Sequence, residues 1–282
     1  MTLAALFRLL KLLLRPSSVS ELYSKSGMPS GRGFLNFGWW EEGCLSLEEA
    51  CQELVRRVGQ EARLSPRDRV LDVGFGLGEQ DLLWTREFGV EHVLGLNVSF
   101  PQAREARRRS LKAGFSHIRH VIADAVRPPL GSGRFDKLLA LECAFHFRTR
   151  RAFLTEARRL LAPGGRLVLT DIVRGDLRVG GFKGLRHQIF GRLQERHWHI
   201  PPVNAVGLEA YQRHLSQAGF QEIRIEDITE YVLLPYVTIC SPGTDPSQSA
   251  FLDALGLRLP PGALAAFIRS GYFRYLMVSA RR

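Results

Sequence analysis

The chain has 282 residues, 45% of them hydrophobic and 24% charged, and at about 150 residues per domain that length allows one elaborated domain or two smaller ones. This balance excludes a disordered chain, a collagen-like repeat and a polytopic membrane protein. Basic residues outnumber acidic ones by 39 to 28, a net charge of +11, which favours anionic partners or surfaces but does not by itself make a nucleic-acid protein.

Residues 1–15, MTLAALFRLLKLLLR, place Arg8, Lys11 and Arg15 three and four apart on one stripe of a helix that is otherwise leucine-rich. The apolar runs fall far short of the roughly 18 residues that span a bilayer, and no small-residue cleavage pattern follows. Three readings stay open for this segment. It lies on a membrane surface, or packs on its own core, or serves as an organelle transit peptide, since no acidic residue precedes Glu21.

Residues 47–61 have helical apolar spacing (Leu47, Ala50, Cys51, Leu54, Val55, Val58), with Ser46 and Glu49 as a capping pair. Short apolar or β-branched runs follow at 69–73, 92–96, 117–122, 135–141 and 166–170, separated by helix-like stretches such as 102–113 and 150–161. Strands that alternate with helices build a mainly parallel sheet covered on both faces. Pro163-Gly164-Gly165 stops a helix and turns the chain into its strand. The rhythm breaks at about 172–206, an insertion rich in glycine, aromatic and basic residues. A helix at 208–218, a strand at 223–234, a loop-and-helix stretch at 241–271 and a strand at 272–279 close the chain, the last two strands suiting an antiparallel edge pair.

Arg107, Arg108 and Arg109, and likewise Arg148, Arg150 and Arg151, read as solvated helix faces. Cys44, Cys51, Cys143 and Cys240 form no C-x-x-C pair, which argues for a reducing compartment. His197 and His199 have no acidic or cysteine partner at ligand spacing, so no metal site is expected.

The sharpest signal is Val70-Leu71-Asp72-Val73-Gly74-Phe75-Gly76-Leu77-Gly78, a buried strand that runs into a loop with glycine at every second position. Glycines there let a ligand approach the backbone. A dinucleotide fingerprint needs a third glycine where Glu79 stands, and a carboxylate at a helix start repels a diphosphate, so another cofactor fits better.

On these residues the chain resembles the class I S-adenosylmethionine-dependent methyltransferases. The glycine loop is similar to the family's first motif, residues 93–99 (V-L-G-L-N-V-S) to its second strand, Ala123-Asp124-Ala125 to its adenine-side loop, residues 135–142 to its fourth strand and 161–171 to its fifth. The resemblance runs from about Leu35 to the C terminus. It implies a Rossmann-like α/β fold with a seven-stranded mainly parallel sheet, helices on both faces, an antiparallel C-terminal edge pair and an inserted lid. Residues 1–45 then form an amphipathic helix and aromatic cover, and 46–282 the methyltransferase domain, its lid at about 172–206. It also implies that Gly74, Gly76 and Gly78 wrap the methionine part of S-adenosyl-L-methionine, with Asp72 beneath. The family's acidic residue for the ribose hydroxyls is here Asn97, which lacks a carboxylate's paired acceptors.

The stretch 95–102 (G-L-N-V-S-x-x-Q) resembles a subgroup that methylates small natural products, sterols, quinols and macrolide sugars; Ser99 and Gln102 then lie near the cofactor, as do Asp124, Ala125 and Glu142. Glu142-x-x-x-His146-Phe147 resembles the subgroup's acceptor-side stretch, which makes His146 the candidate base and Asp171 its orienting partner or an acceptor ligand. Tyr23, Trp40, Phe147, Trp198 and Asn204 are the expected acceptor contacts, and an apolar lid implies a lipophilic small molecule. The expected activity is of the EC 2.1.1 type, at a hydroxyl in preference to nitrogen or carbon, and the expected setting is inside the cell, peripheral on a membrane through residues 1–15, or mitochondrial. Two other readings are an RNA or protein methyltransferase, suggested by the charge, and a degenerate scaffold, suggested by Asn97. The N/D-P-P-Y/F stretch and Pro-Cys nucleophile of nucleic-acid enzymes are absent.

Overall fold

Ser46 opens the first helix: its hydroxyl accepts from the backbone N–H of Glu49 at 3.2 Å, and α1 (Leu47–Ala62) ends at Arg63 in the left-handed region. The computed structural model describes residues 33–44, 46–239 and 262–282. The expected helix at 1–15 and Tyr23 lie outside them. Beyond α1 the order is β1 (Arg69–Val73), α2 (Glu79–Phe88), β2 (His92–Asn97), α3 (Phe100–Lys112), β3 (Arg119–Ile122), β4 (Phe135–Leu141), α4 (Arg150–Leu160), β5 (Leu161–Arg174), α5 (Gly181–His197), α6 (Leu208–Gln217), β6 (Gln221–Asp227), α7 (Leu233–Ile239), α8 (Ala263–Arg269) and β7 (Phe273–Arg281).

The strands form one sheet in the order β3-β2-β1-β4-β5-β7-β6, with β1 to β5 parallel and β7 antiparallel to both of its neighbours. Both faces are covered, so the central strands are apolar without alternation: β1 is buried from Val70 to Val73. On one face Leu54, Val55, Val58 and the fully buried Trp84 pack together, the Trp84 indole donating to the Val55 carbonyl at 2.8 Å. On the other, Phe153, Leu154, Tyr211 and Leu215 pack under β4 and β5. Truncating a ring such as Phe153 costs about 3–5 kcal/mol at such a site.

Two expectations need correction. The strand at 223–234 stops at Asp227, whose carboxylate accepts from the Thr229 backbone, while the Thr229 hydroxyl accepts from the Tyr275 N–H at 2.8 Å; this turn leads into α7. Strand β5 starts at Leu161, ahead of Pro163-Gly164-Gly165, and a register irregularity against β4 accommodates that tripeptide. The insertion at 172–206 carries α5 and a 3-10 turn (Pro202–Asn204), and its ends are tied where the Arg174 N–H donates to the Val206 carbonyl at 2.9 Å. Among the described residues no helix is long and apolar enough to cross a membrane.

Candidate active site

The strand order reverses between β1 and β4, where an open α/β sheet leaves a crevice at its carboxyl edge. The glycine loop lies there. Gly74 and Gly78 have φ of 79° and 80°, and a Cβ would fall 2.6 Å from Cys143 Cβ at the first and 2.9 Å from Ala106 Cβ at the second, so neither position takes a side chain. Cys143, just past β4, donates its thiol to the Val73 carbonyl at 3.0 Å and fastens the two strand ends together. Leu35 of the preceding segment sits over Gly76.

Beneath the loop, Asp72 is fully buried and accepts from the Gln80 amide at 2.7 Å. Asp81, equally buried, lies 3.3 Å from Nε2 of His120. Burial raises the Asp72 carboxyl well above its usual range, the Asp81 charge adds to this, and the Gln80 amide opposes it. Burial also pushes Asp81 up to about 7, and lowers His120 to about 4, so the imidazole is neutral. Neither Oδ1 finds an N–H or O–H donor in its surroundings, and the hydrogen bond between the two carboxyls requires a proton held between them. A buried acidic group that only a proton balances fits a cationic ligand such as the cofactor's ammonium. The first turn of α2 adds Glu79, paired with Arg109 at 2.6 Å, and offers no seat for a diphosphate.

Asn97, Ser99 and Gln102 come together at the tip of β2. The Asn97 amide donates to the Gln102 carbonyl oxygen at 2.8 Å and accepts from the Ser99 N–H at 3.1 Å, while Ser99 caps α3. Asn97 thus shapes the turn as well as facing the edge where the ribose would lie. Asp124 is exposed and accepts from the Val126 N–H at 3.0 Å; Ala125 beside it is buried, and the Ala123 N–H holds the loop to the Asn97 carbonyl at 2.9 Å.

Past β4, Glu142 adopts a left-handed φ of 53°, which aims its side chain back into the fold. Its Oε1 accepts from the Phe37 N–H at 2.8 Å and from the Tyr275 hydroxyl at 2.6 Å, and burial lifts it to about 8 against those two bonds. Glu142 therefore anchors the aromatic segment to the sheet. Phe37 packs against Tyr236, Trp198 and Tyr275 at ring-centroid distances of 4.7, 6.2 and 6.3 Å, and Trp198 against Phe273 at 4.9 Å. The Trp40 indole donates to the Phe37 carbonyl at 2.9 Å, and Phe147 meets Phe153 edge-on at 4.8 Å. His146 stands in a 3-10 turn (Ala144–His146), its Nδ1 3.4 Å from the His199 carbonyl; burial takes it down to about 4, so it is a neutral imidazole.

Two expected residues serve a different purpose. Asp171 does not orient His146 or face an acceptor: Arg150 Nε and Nη2 meet its two oxygens at 2.7 and 3.0 Å, and the Tyr211 hydroxyl donates to it at 3.0 Å. Asn204 accepts from the Arg150 N–H at 2.7 Å and donates to the Phe147 carbonyl at 2.6 Å, an internal clamp. Arg150, expected on a solvated face, is 1% exposed. Its spacing in α4 matches buried Phe153, Leu154 and Ala157, a periodicity that marked the inward side. Gln80, Asp81, His120 and Tyr275 were also missed; only Asp81, an acid on the buried side of α2, left a trace in the sequence.

Residues 71–169 match the family model described as "Methyltransferase domain". The chain is 34% identical over 232 residues to erythromycin 3''-O-methyltransferase of Saccharopolyspora erythraea, covering 79% of this chain and 75% of that one. It is 30% identical over 251 residues to 27-O-demethylrifamycin SV methyltransferase of Amycolatopsis mediterranei, covering 88% and 89%. The fold matches geranyl diphosphate C-methyltransferase from Streptomyces coelicolor, solved with S-adenosyl-L-homocysteine, at a TM-score of 0.73 and 18% identity over 93% and 95% of the two chains. A glycine loop without room for side chains, an acidic floor beneath it and these relatives lead to one conclusion: the chain belongs to the class I S-adenosylmethionine-dependent methyltransferases, enzymes of the EC 2.1.1 type.

Proposed function

We propose that this enzyme methylates a hydroxyl of a lipophilic small molecule, with His146 as general base. The observation that carries the reading is the neutral, buried imidazole of His146 directly past β4. The His199 carbonyl beside Nδ1 favours a proton on that nitrogen, which makes Nε2 the basic one. S-adenosylmethionine supplies an activated methyl group on a sulfonium. Displacement at that carbon needs alignment and a dry surrounding more than covalent help, so the protein's part is to hold the acceptor oxygen in line and take its proton. Phe37, Trp198, Tyr236 and Phe273 form an aromatic wall on the same side, suited to an apolar acceptor. The relatives from Saccharopolyspora erythraea and Penicillium expansum are both O-methyltransferases by name, which supports a hydroxyl over nitrogen or carbon.

In this reading residues 1–45 are the cover, with Tyr23 and Trp40 near the acceptor, and 172–206 the lid. Asp72, Asn97, Ser99, Gln102, Asp124 and Ala125 surround the cofactor, Glu142 supports that site by anchoring the cover, and Phe147 and Trp198 line the acceptor side. The test supplies purified protein with isotope-labelled cofactor and a panel of hydroxylated apolar compounds alongside polar metabolites and RNA. Label should appear on an apolar hydroxyl compound, and His146→Ala should lower that turnover roughly a hundredfold at unchanged cofactor affinity. Label confined to polar metabolites or RNA, or full turnover by the variant, contradicts the proposal.

A further inference from the structure

Helix α5 has two unlike faces. Inward, His187 and Phe190 meet Phe267 edge-on at 5.7 and 4.7 Å, and Glu195, the only acidic residue of the helix, receives Arg174 at 2.6 Å and the Tyr272 hydroxyl at 3.1 Å. Outward, Phe182, Leu185 and Ile189 are 78%, 53% and 56% exposed. Spaced three and four apart, they share one stripe. Lys183, Arg186, Arg192 and Arg196 are exposed on the same helix, and Arg178 and Arg269 on the segments beside it. Lys183, Arg186 and Arg192 form no ion pair among the described residues. An outward surface that interleaves large apolar side chains with cations and carries no acid of its own has the chemistry of an interfacial helix.

We propose that α5 docks the enzyme on an anionic phospholipid surface. Phe182, Leu185 and Ile189 would enter the boundary between headgroups and acyl chains, while the guanidinium and ammonium groups reach back to the phosphates on their flexible stems. Charge selects this occupant over the nearest others. A second copy docked face to face would oppose cations to cations. Residues 1–15 carry three cations and no acid, so they are repelled from the same stripe. Leu185 and Ile189 have no π-face on which a nucleic-acid base could stack. The proposal uses the outer face of α5 alone; it depends on neither His146 nor the nature of the acceptor, and either can fail without the other.

The test is co-sedimentation of the full chain with vesicles of phosphatidylcholine alone or with added phosphatidylserine. The protein should bind the phosphatidylserine vesicles and little of the neutral ones, and added salt should weaken that binding. Phe182→Ser with Leu185→Ser and Ile189→Ser, and separately Arg186→Glu with Arg192→Glu, should each reduce binding about tenfold or more, with cofactor affinity and thermal unfolding unchanged. Failure of the wild type to bind, equal binding to both vesicle types, or undiminished binding by both variants overturns the proposal, the last assigning the contact to another part of the chain. A fall in molar mass of the triple variant by light scattering would assign the stripe to a second copy and overturn it as well.

Discussion

Two buried polar clusters near the carboxyl edge of the sheet are balanced in opposite ways. Around Asp171 the negative charge is met by Arg150, with Tyr211 and Asn204 completing the bonds, so that cluster is closed. Around Asp72 two carboxyls face a neutral histidine and hold a proton between them. A fixed counter-ion makes a brace; a proton can be replaced by a cation that arrives with a ligand. The comparison separates architecture from site more sharply than burial does, since Asp72 and Asp171 are equally hidden.

Breaking the closed cluster should have the largest effect. Arg150→Met leaves Asp171 buried without its counter-ion and should cost about 3–5 kcal/mol of unfolding free energy by denaturant titration, with part of the loss recovered when Asp171→Leu is added. The open cluster should respond to pH. Asp81 titrates at about 7 in the folded protein, so below that pH the pair keeps its proton and a cationic ligand must displace it. Affinity for S-adenosylmethionine should therefore rise as pH is raised towards 7 and level off above it, and calorimetry at lower pH in buffers of different ionisation heat should report release of roughly one proton. Asp81→Asn, whose amide can donate to an ionised Asp72, should remove both the slope and the proton. The smallest change lies far from both clusters: Ser46→Ala should cost about 1 kcal/mol through the lost cap of α1, with cofactor binding unaltered.

The strands and the glycine loop were legible because a parallel sheet covered on both faces demands continuous apolar runs, and because the loop admits no side chain at Gly74 and Gly78. Strand ends and partners were less so. Strand β6 stops where Thr229 binds back to β7, a contact made 46 residues away. The roles of Asp171, Asn204 and Arg150 depend on one another across α4, β5 and the insertion, and no single segment contains the pattern. The left-handed turn at Glu142, which diverts its carboxylate to Phe37 and Tyr275, carries no glycine to announce it.

The most direct test sets the two aspartates side by side, with S-adenosylmethionine affinity and unfolding free energy measured for Asp72→Asn and Asp171→Asn. The account predicts that Asp72→Asn weakens cofactor binding about ten- to a hundredfold, the worth of a hydrogen bond to a charged group, while the protein stays folded, and that Asp171→Asn lowers stability with cofactor affinity nearly unchanged. Full affinity in Asp72→Asn, or a loss of affinity confined to Asp171→Asn, would contradict it.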